Sequence, residues 1–229
     1  MEKYGCFICG KGITKNLKTS CAECGNPFDV STLLLRCTFG PYEPISELGR
    51  GFYGTVLLAK NGIGKKFALK VCSSALYEAR QKNFFDEIQN YLTLGDHPNI
   101  AELVDGGETK IDILHQHMTV YYLATKYVEH AKTLESFILE GTLNVEDMIG
   151  IAVQVCAAVT RVEGRKLWHN DLHGRNVLLA RREGDDLDHH PAAGRHVVKV
   201  VDFGSAIFKH PIPDKGWQVL GRSKALRVG

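Results

Sequence analysis

The sequence of 229 residues holds no apolar run of about 18 residues, and without one no helix long and apolar enough to cross a membrane is expected. Its first residues, Met1-Glu2-Lys3-Tyr4-Gly5-Cys6, lack the apolar stretch of a secretory leader, so the cytoplasm is the expected compartment. A dominant charge is missing too. Lys and Arg number 28 against 26 Asp and Glu, and a net charge of +2 favours neither nucleic acid nor an anionic membrane as the main partner. There is no internal repeat, low-complexity tract or disorder signature. With 44% hydrophobic and 24% charged residues the chain is an ordinary globular one, long enough for one or two cores.

Cysteine is present and unevenly placed. Of seven, four form the pairs Cys6-x-x-Cys9 and Cys21-x-x-Cys24, and in a cytoplasmic chain this spacing points to zinc rather than to disulfides. Gly10 and Gly25 follow the two pairs, where a tight turn aims backbone N–H groups at thiolate sulfur and demands positive φ. Residues 1–30 thus read as a zinc ribbon, too small to hold together without its metal. Cys37, Cys72 and Cys156 read as packing residues.

Near the other end, Trp168-His169-Asn170-Asp171-Leu172-His173-Gly174-Arg175-Asn176 is followed by Val200-Val201-Asp202-Phe203-Gly204. This stretch supplies a candidate base and two candidate magnesium ligands, the requirements of phosphoryl transfer. The same chemistry needs a loop over the phosphates, a lysine and an acid to hold it, and all three occur upstream in order. Leu48-Gly49-Arg50-Gly51-Phe52-Tyr53-Gly54-Thr55-Val56 has G-x-G-x-x-G-x-V spacing, Phe67-Ala68-Leu69-Lys70-Val71 is an apolar strand bearing one lysine, and Glu87 sits on a following helix. A dinucleotide fold is excluded, because there the glycine loop runs into a helix, whereas this one runs into a strand and a lysine.

Taken together with His97-Pro98-Asn99-Ile100, these motifs make residues from about 45 to 209 resemble the eukaryotic-type protein kinase family. The resemblance implies an α+β, bilobal fold: a five-stranded antiparallel N-lobe sheet with one helix over residues 45–125, and a mainly helical C-lobe over 126–229. The ribbon and a connector at 31–44 precede it. It implies ATP and Mg2+ beside Zn2+ as cofactors. Gly49, Gly51 and Gly54 would cover the phosphates, with Tyr53 at the loop tip. Lys70 would bind the α- and β-phosphates and Glu87 would hold Lys70. Val56, Ala68, Thr125, Lys126 and Val128 would line the adenine site, Thr125-Lys126-Tyr127-Val128-Glu129 being the hinge and Thr125 the gatekeeper. Asp171 would accept the proton of a substrate hydroxyl, while Asn176 and Asp202 hold magnesium.

Along the chain, strands are expected at 45–49, 55–60, around Lys70, and near 100–105 and 118–124, with a turn at Asn61-Gly62. Thr133 is placed to cap a short helix ending at Gly141. Residues 145–163 read as a long apolar helix, the buried support of the catalytic loop. The polar stretch from Arg181 to His190 reads as a solvated loop rather than a metal site.

Three departures from the family pattern stand out. Asn170 occupies the place of an arginine that meets a phosphate on the activation loop, so activity is expected without such phosphorylation. His173 occupies the place of a lysine, as in small-molecule phosphotransferases. Only 27 residues follow Asp202, without an A-P-E motif or the helices of a substrate platform, so the C-lobe reads as truncated, with apolar surface exposed. The expected function is a Mg-ATP-dependent Ser/Thr protein kinase acting on a protein substrate. The alternatives are a small-molecule kinase and an ATP-binding scaffold. Lys11, Lys15 and Lys18 give the ribbon a basic edge, but without arginines or an aromatic platform a protein docking partner ranks above nucleic acid.

Overall fold

A computed structural model describes residues 3–80, 84–181, 195–208 and 226–227. These fall into two compact units, one holding the residues up to Ile88, Leu103–Tyr127 and Leu226–Arg227, the other holding Gln89–Glu102 and the described residues from Val128 onward.

In the first unit, β1 (Tyr4–Gly5) pairs antiparallel with β2 (Ile13–Thr14), and the first cysteine pair lies between them. After the second pair comes the short helix α1 (Ser31–Leu34). Then β3 (Glu43–Gly51), β4 (Gly54–Lys60) and β5 (Lys66–Ser73) form a meander, joined by β6 (Leu103–Ile113) and β7 (Gln116–Lys126). The five-stranded antiparallel sheet expected from sequence is present, and the two-residue strand β13 (Leu226–Arg227) adds a sixth beside β6. β6 begins three residues later than expected and runs eight residues further, while β7 exceeds its expected bounds by two residues at each end. The turn after β4 differs in detail: Asn61 Oδ1 accepts from the amides of Ile63 and Lys65, and Gly64, not Gly62, takes the left-handed conformation at φ 80°.

Side chains of adjacent strand residues point to opposite faces, and on β7 the two faces meet different partners. Val120, Tyr122 and Ala124 join Leu57, Leu69 and Val71 in a core that also contains Cys6, Phe7, Phe28, Val30, Leu34 and Phe39. The ribbon and the connector therefore cover one face of the sheet and share its core. Tyr42 locks the junction, its ring 5.0 Å from that of Phe67 and its hydroxyl donating to Asp105 Oδ2 at 3.1 Å. On the opposite face Tyr121 meets Tyr77 and Phe85 at 5.3 and 5.1 Å, from α2 (Ser74–Arg80) and from α3 (Phe84–Leu94).

In the second unit, Thr133 caps α4 (Leu134–Glu140) through the Ser136 amide, and Gly141 ends it at φ 63°. Asn144 and Asp147 form a capping box at the start of α5 (Val145–Gly164). A sheet of β8 (Lys132–Thr133), β10 (Val177–Arg181) and β11 (His196–Val200) packs on it, with Ile151, Val177, Leu179 and Val198 as core. Two-residue strands β9 (Leu167–Trp168) and β12 (Ile207–Phe208) pair nearby. Gln154 of α5 ties the layers together: its Oε1 accepts from Asn99 Nδ2 at 2.9 Å and from the Val198 amide at 3.1 Å, and its Nε2 donates to His196 O at 2.8 Å.

The expectation of a buried α5 needs correction. Only the side bearing Ile151, Gln154, Ala158 and Val162 is buried, while Met148, Ile149, Val153 and Val159 are exposed. Cys156, expected to pack, is exposed with them. An apolar cleft of about 300 Å³, lined by Val159, Val162, Trp168 and Leu172 among others, opens beside this face. The physical reason is that the one sheet packed on α5 covers a single stripe of a helix that is apolar nearly all round. The polar stretch after Arg181 lies outside the described residues. No helix among the described residues is long and apolar enough to cross a membrane.

Candidate active site and cysteine centre

The residues expected to hold nucleotide divide between the units. In the first, Gly49, Gly51 and Gly54 flank the β3–β4 hairpin, Arg50 pairing with Thr55 and Gly51 with Gly54. Gly54 takes φ 151°, and a Cβ there would lie 2.3 Å from Val71 O, so close packing against β5 demands glycine. Gly49 and Gly51 face open space. Val56 and Ala68 lie on the adjoining strands β4 and β5, and Val56 is paired with Lys70. Lys70 Nζ lies 2.7 Å from Glu87 Oε2, with side chains 17% and 4% exposed. A carboxylate this deep is stable only with its cation, so the pair fixes Lys70 and the first turn of α3 together. Thr125 is buried at the end of β7 and donates from Oγ1 to Ala68 O at 3.4 Å; Lys126 next to it is exposed.

In the second unit Asp171 is exposed and Asn176 buried, in a short 3₁₀ turn (Gly174–Asn176). Asn176 Nδ2 donates to Asp171 O at 2.9 Å, which orients the side chain and leaves its carbonyl oxygen as the group offered to a hard cation. Asp202 supplies a carboxylate from a backbone at φ 60°, its own amide donating to the Tyr91 hydroxyl at 3.2 Å. The segment carrying Asp202 is stitched to that carrying Asn176 by the Val201 amide donating to Asn176 O at 3.0 Å. His169 is buried against Phe203, ring centroids 4.7 Å apart, and burial holds its imidazole below the ordinary range. His173 Nδ1 accepts from the Arg175 amide at 3.2 Å, and Nε2 lies 3.7 Å from Asp171 Oδ1. Val128 and Glu129 of the expected hinge belong to this unit, whereas Thr125, Lys126 and Tyr127 belong to the first.

Sequence reasoning missed the α3 residues one turn beyond Glu87. Asn90 Nδ2 donates to Phe203 O at 3.0 Å and to Ala206 O at 3.2 Å, and Tyr91 packs its ring 5.1 Å from that of Phe203. Their spacing of three and four from Glu87 was the available signal.

The four expected cysteines converge. Their sulfurs all lie within 4.8 Å of one another, Cys6 to Cys24 at 3.8 Å and Cys9 to Cys21 at 3.7 Å. A tetrahedral ion with metal–sulfur bonds of about 2.3 Å would separate its sulfurs by about 3.8 Å, so the cage fits zinc. The two turns match each other: Gly10 and Gly25 take φ 73° and 74°, and their amides donate to Cys6 O and Cys21 O at 2.9 and 2.8 Å. Burial pushes the Cys6 thiol up to about 12. At Cys9 burial acts the same way, but the Gly12 and Lys11 amides with the Cys24 and Cys6 thiols outweigh it and bring the thiol down to about 7.

Residues 42–215 match the family described as "Protein kinase domain". A Dictyostelium discoideum protein named "Probable myosin light chain kinase" is 29% identical over 165 residues, covering 71% of this chain and 46% of its own length. Serine/threonine-protein kinase GIN4 of Saccharomyces cerevisiae is 26% identical over 185 residues, covering 74% and 14%. Serine/threonine-protein kinase PrkC of Bacillus subtilis is 27% identical over 170 residues, covering 73% and 23%. The chain thus spans less than half the length of these relatives. The ion pair on β5 and α3, the Asp171–Asn176 turn and the Asp202 segment all fall inside the matched range, and the chain belongs to the protein kinase family.

Proposed function

We infer that the chain is a protein kinase that transfers the γ-phosphate of ATP to serine or threonine hydroxyls, with Mg2+ as cofactor. The observation that carries this is the 2.7 Å pair of Lys70 and Glu87, a cation on a strand directly beside the glycine hairpin, held by a buried carboxylate. In this reading the hairpin backbone closes over the phosphates and Lys70 binds the α- and β-phosphates. Val56, Ala68, Thr125, Lys126 and Val128 line the adenine site. Asp171 accepts the hydroxyl proton as the acceptor oxygen attacks phosphorus and the bond to the β-phosphate oxygen breaks. Asn176 and Asp202 hold the metal, which when bound neutralises charge gathering on the leaving phosphate.

The cysteine cage holds Zn2+ as a structural ion. The protein acts in the cytoplasm on a protein substrate, and the ribbon docks a further protein rather than nucleic acid. The names of the Saccharomyces and Bacillus relatives support the serine/threonine preference.

The test is transfer of labelled phosphate from Mg-ATP to a generic protein substrate, comparing the wild type with Asp202→Ala and Asp171→Asn. Phosphoserine or phosphothreonine that disappears in both variants is expected. Transfer only to hydroxylated small molecules would favour the reading from His173, and nucleotide binding without transfer would mark a scaffold.

A further inference from the structure

Arg50 is the second residue of the glycine motif, a place where the chemistry of phosphate binding asks nothing of the side chain. Here that side chain is only 7% exposed and turns away into the junction with the ribbon. Its Nη2 lies 2.7 Å from Glu47 Oε2 and 3.1 Å from Asp29 Oδ1 and also donates to Ser31 Oγ, while Nη1 donates to Phe28 O at 3.3 Å. Three of these four partners belong to the segment leaving the second cysteine pair. One guanidinium thus separates two carboxylates and joins them to a backbone carbonyl, the forked arrangement that arginine makes and lysine cannot.

The path from Arg50 to the cysteine cage is short. Phe28 follows Cys24 by four residues, and its amide donates to Thr19 O at 3.2 Å. The Cys21 amide donates to Asn26 O at 2.8 Å, and Asn26 Nδ2 reaches Cys24 Sγ at 3.5 Å. A Cβ on Gly12 would meet both Cys21 Sγ and the Phe28 ring, and Phe28 shares one buried cluster with Cys6 and Cys21. The path also runs forward. Arg50 pairs with Thr55 and its neighbour Gly51 with Gly54, so whatever holds Arg50 holds the stem of the glycine hairpin.

The geometry points to Arg50 as a positioning residue that couples the four-cysteine centre to the glycine hairpin, so that the metal-held ribbon sets how tightly the chain holds nucleotide. This rests on the kinase reading above for the identity of the ligand, but not for the coupling itself. Without metal the Cys21–Phe28 turn loses its anchor. Asp29, Ser31 and Phe28 O then lose their fixed places, and Arg50 is released with the hairpin. Without the guanidinium, Asp29 and Glu47 lose the cation that ties them together, and the same two segments lose their link.

The test uses the full chain with one zinc bound and has two readouts, hydrogen exchange at residues 48–54 and Mg-ATP affinity by calorimetry. In Arg50→Met, which keeps the aliphatic stem, exchange at 48–54 is expected to quicken and nucleotide to bind about ten-fold more weakly, the factor that 1.4 kcal/mol represents. Zinc stoichiometry should be unchanged. Asp29→Asn, outside the hairpin and less disruptive to folding, should move both readouts the same way by a smaller factor. Chelation should loosen residues 48–54 in the wild type and add little in Arg50→Met. Unchanged exchange at 48–54 in both variants, or chelation acting equally on wild type and Arg50→Met, would overturn the coupling. If the loaded wild type bound no Mg-ATP the kinase reading would fail, and the exchange data, which need no nucleotide, would still decide the role of Arg50.

Discussion

Gly54 shows how a single position can carry both a motif and a structural demand. Its φ of 151° and the 2.3 Å approach of a would-be Cβ to Val71 O mean that Gly54→Ala must move β4 away from β5. A residue forced into such a conformation costs about 1–3 kcal/mol, so urea unfolding of Gly54→Ala should show a loss of at least that size. Asn170 illustrates the opposite case. It takes φ 66°, a conformation asparagine adopts more readily than most side chains, and it presents no cation to a phosphorylated segment. Phosphatase-treated protein should therefore keep its transfer rate, and loss of turnover on that treatment would refute the idea. The residues carrying local motifs were legible because the chemistry fixes their spacing: Lys70 lies against Glu87, and the four cysteines lie against one another. Arg50 was not legible, because its use depends on which way a side chain leaves a hairpin, and spacing does not encode that.

At the scale of elements, strands and helices were placed correctly where periodicity and caps coincide, as at Thr133 and Gly141 of α4. The burial of α5 was misread for a physical reason. Apolar composition says that a helix can be buried all round, but only the elements that pack on it decide which faces are. Met148, Ile149 and Val153 form an exposed apolar stripe on α5, and Val159 further along the helix lines the cleft at Trp168 and Leu172. Such a surface promotes association. The double variant Ile149→Lys, Val153→Lys should lower self-association in sedimentation while leaving the circular dichroism unchanged, and a loss of helix signal would show that the stripe supports the fold itself.

Across the whole molecule, acid stability can be predicted with its sign. Burial lowers the imidazoles of His97, His169 and His196 below their ordinary 6.5. As pH falls below about 6.5 the unfolded chain takes up protons that the folded chain refuses, so stability is lost from that point downward. Asp147, held below the usual carboxylate range chiefly by hydrogen bonds from Arg195, adds a loss that begins only below about 3.8. The melting temperature should decline as pH falls from about 6.5 toward 5; a rise over that interval would contradict the assignment.

The shared core of ribbon and sheet also has a consequence in time. Cys24 leaves the ribosome about a hundred residues before Ala124, yet both belong to one cluster. At about 5–20 residues per second the first cysteines wait roughly 5–20 seconds for the strands that will cover them. During that interval the nascent thiols stand open to any metal or oxidant in reach, so the proposed zinc site can be filled before the strands that cover it exist.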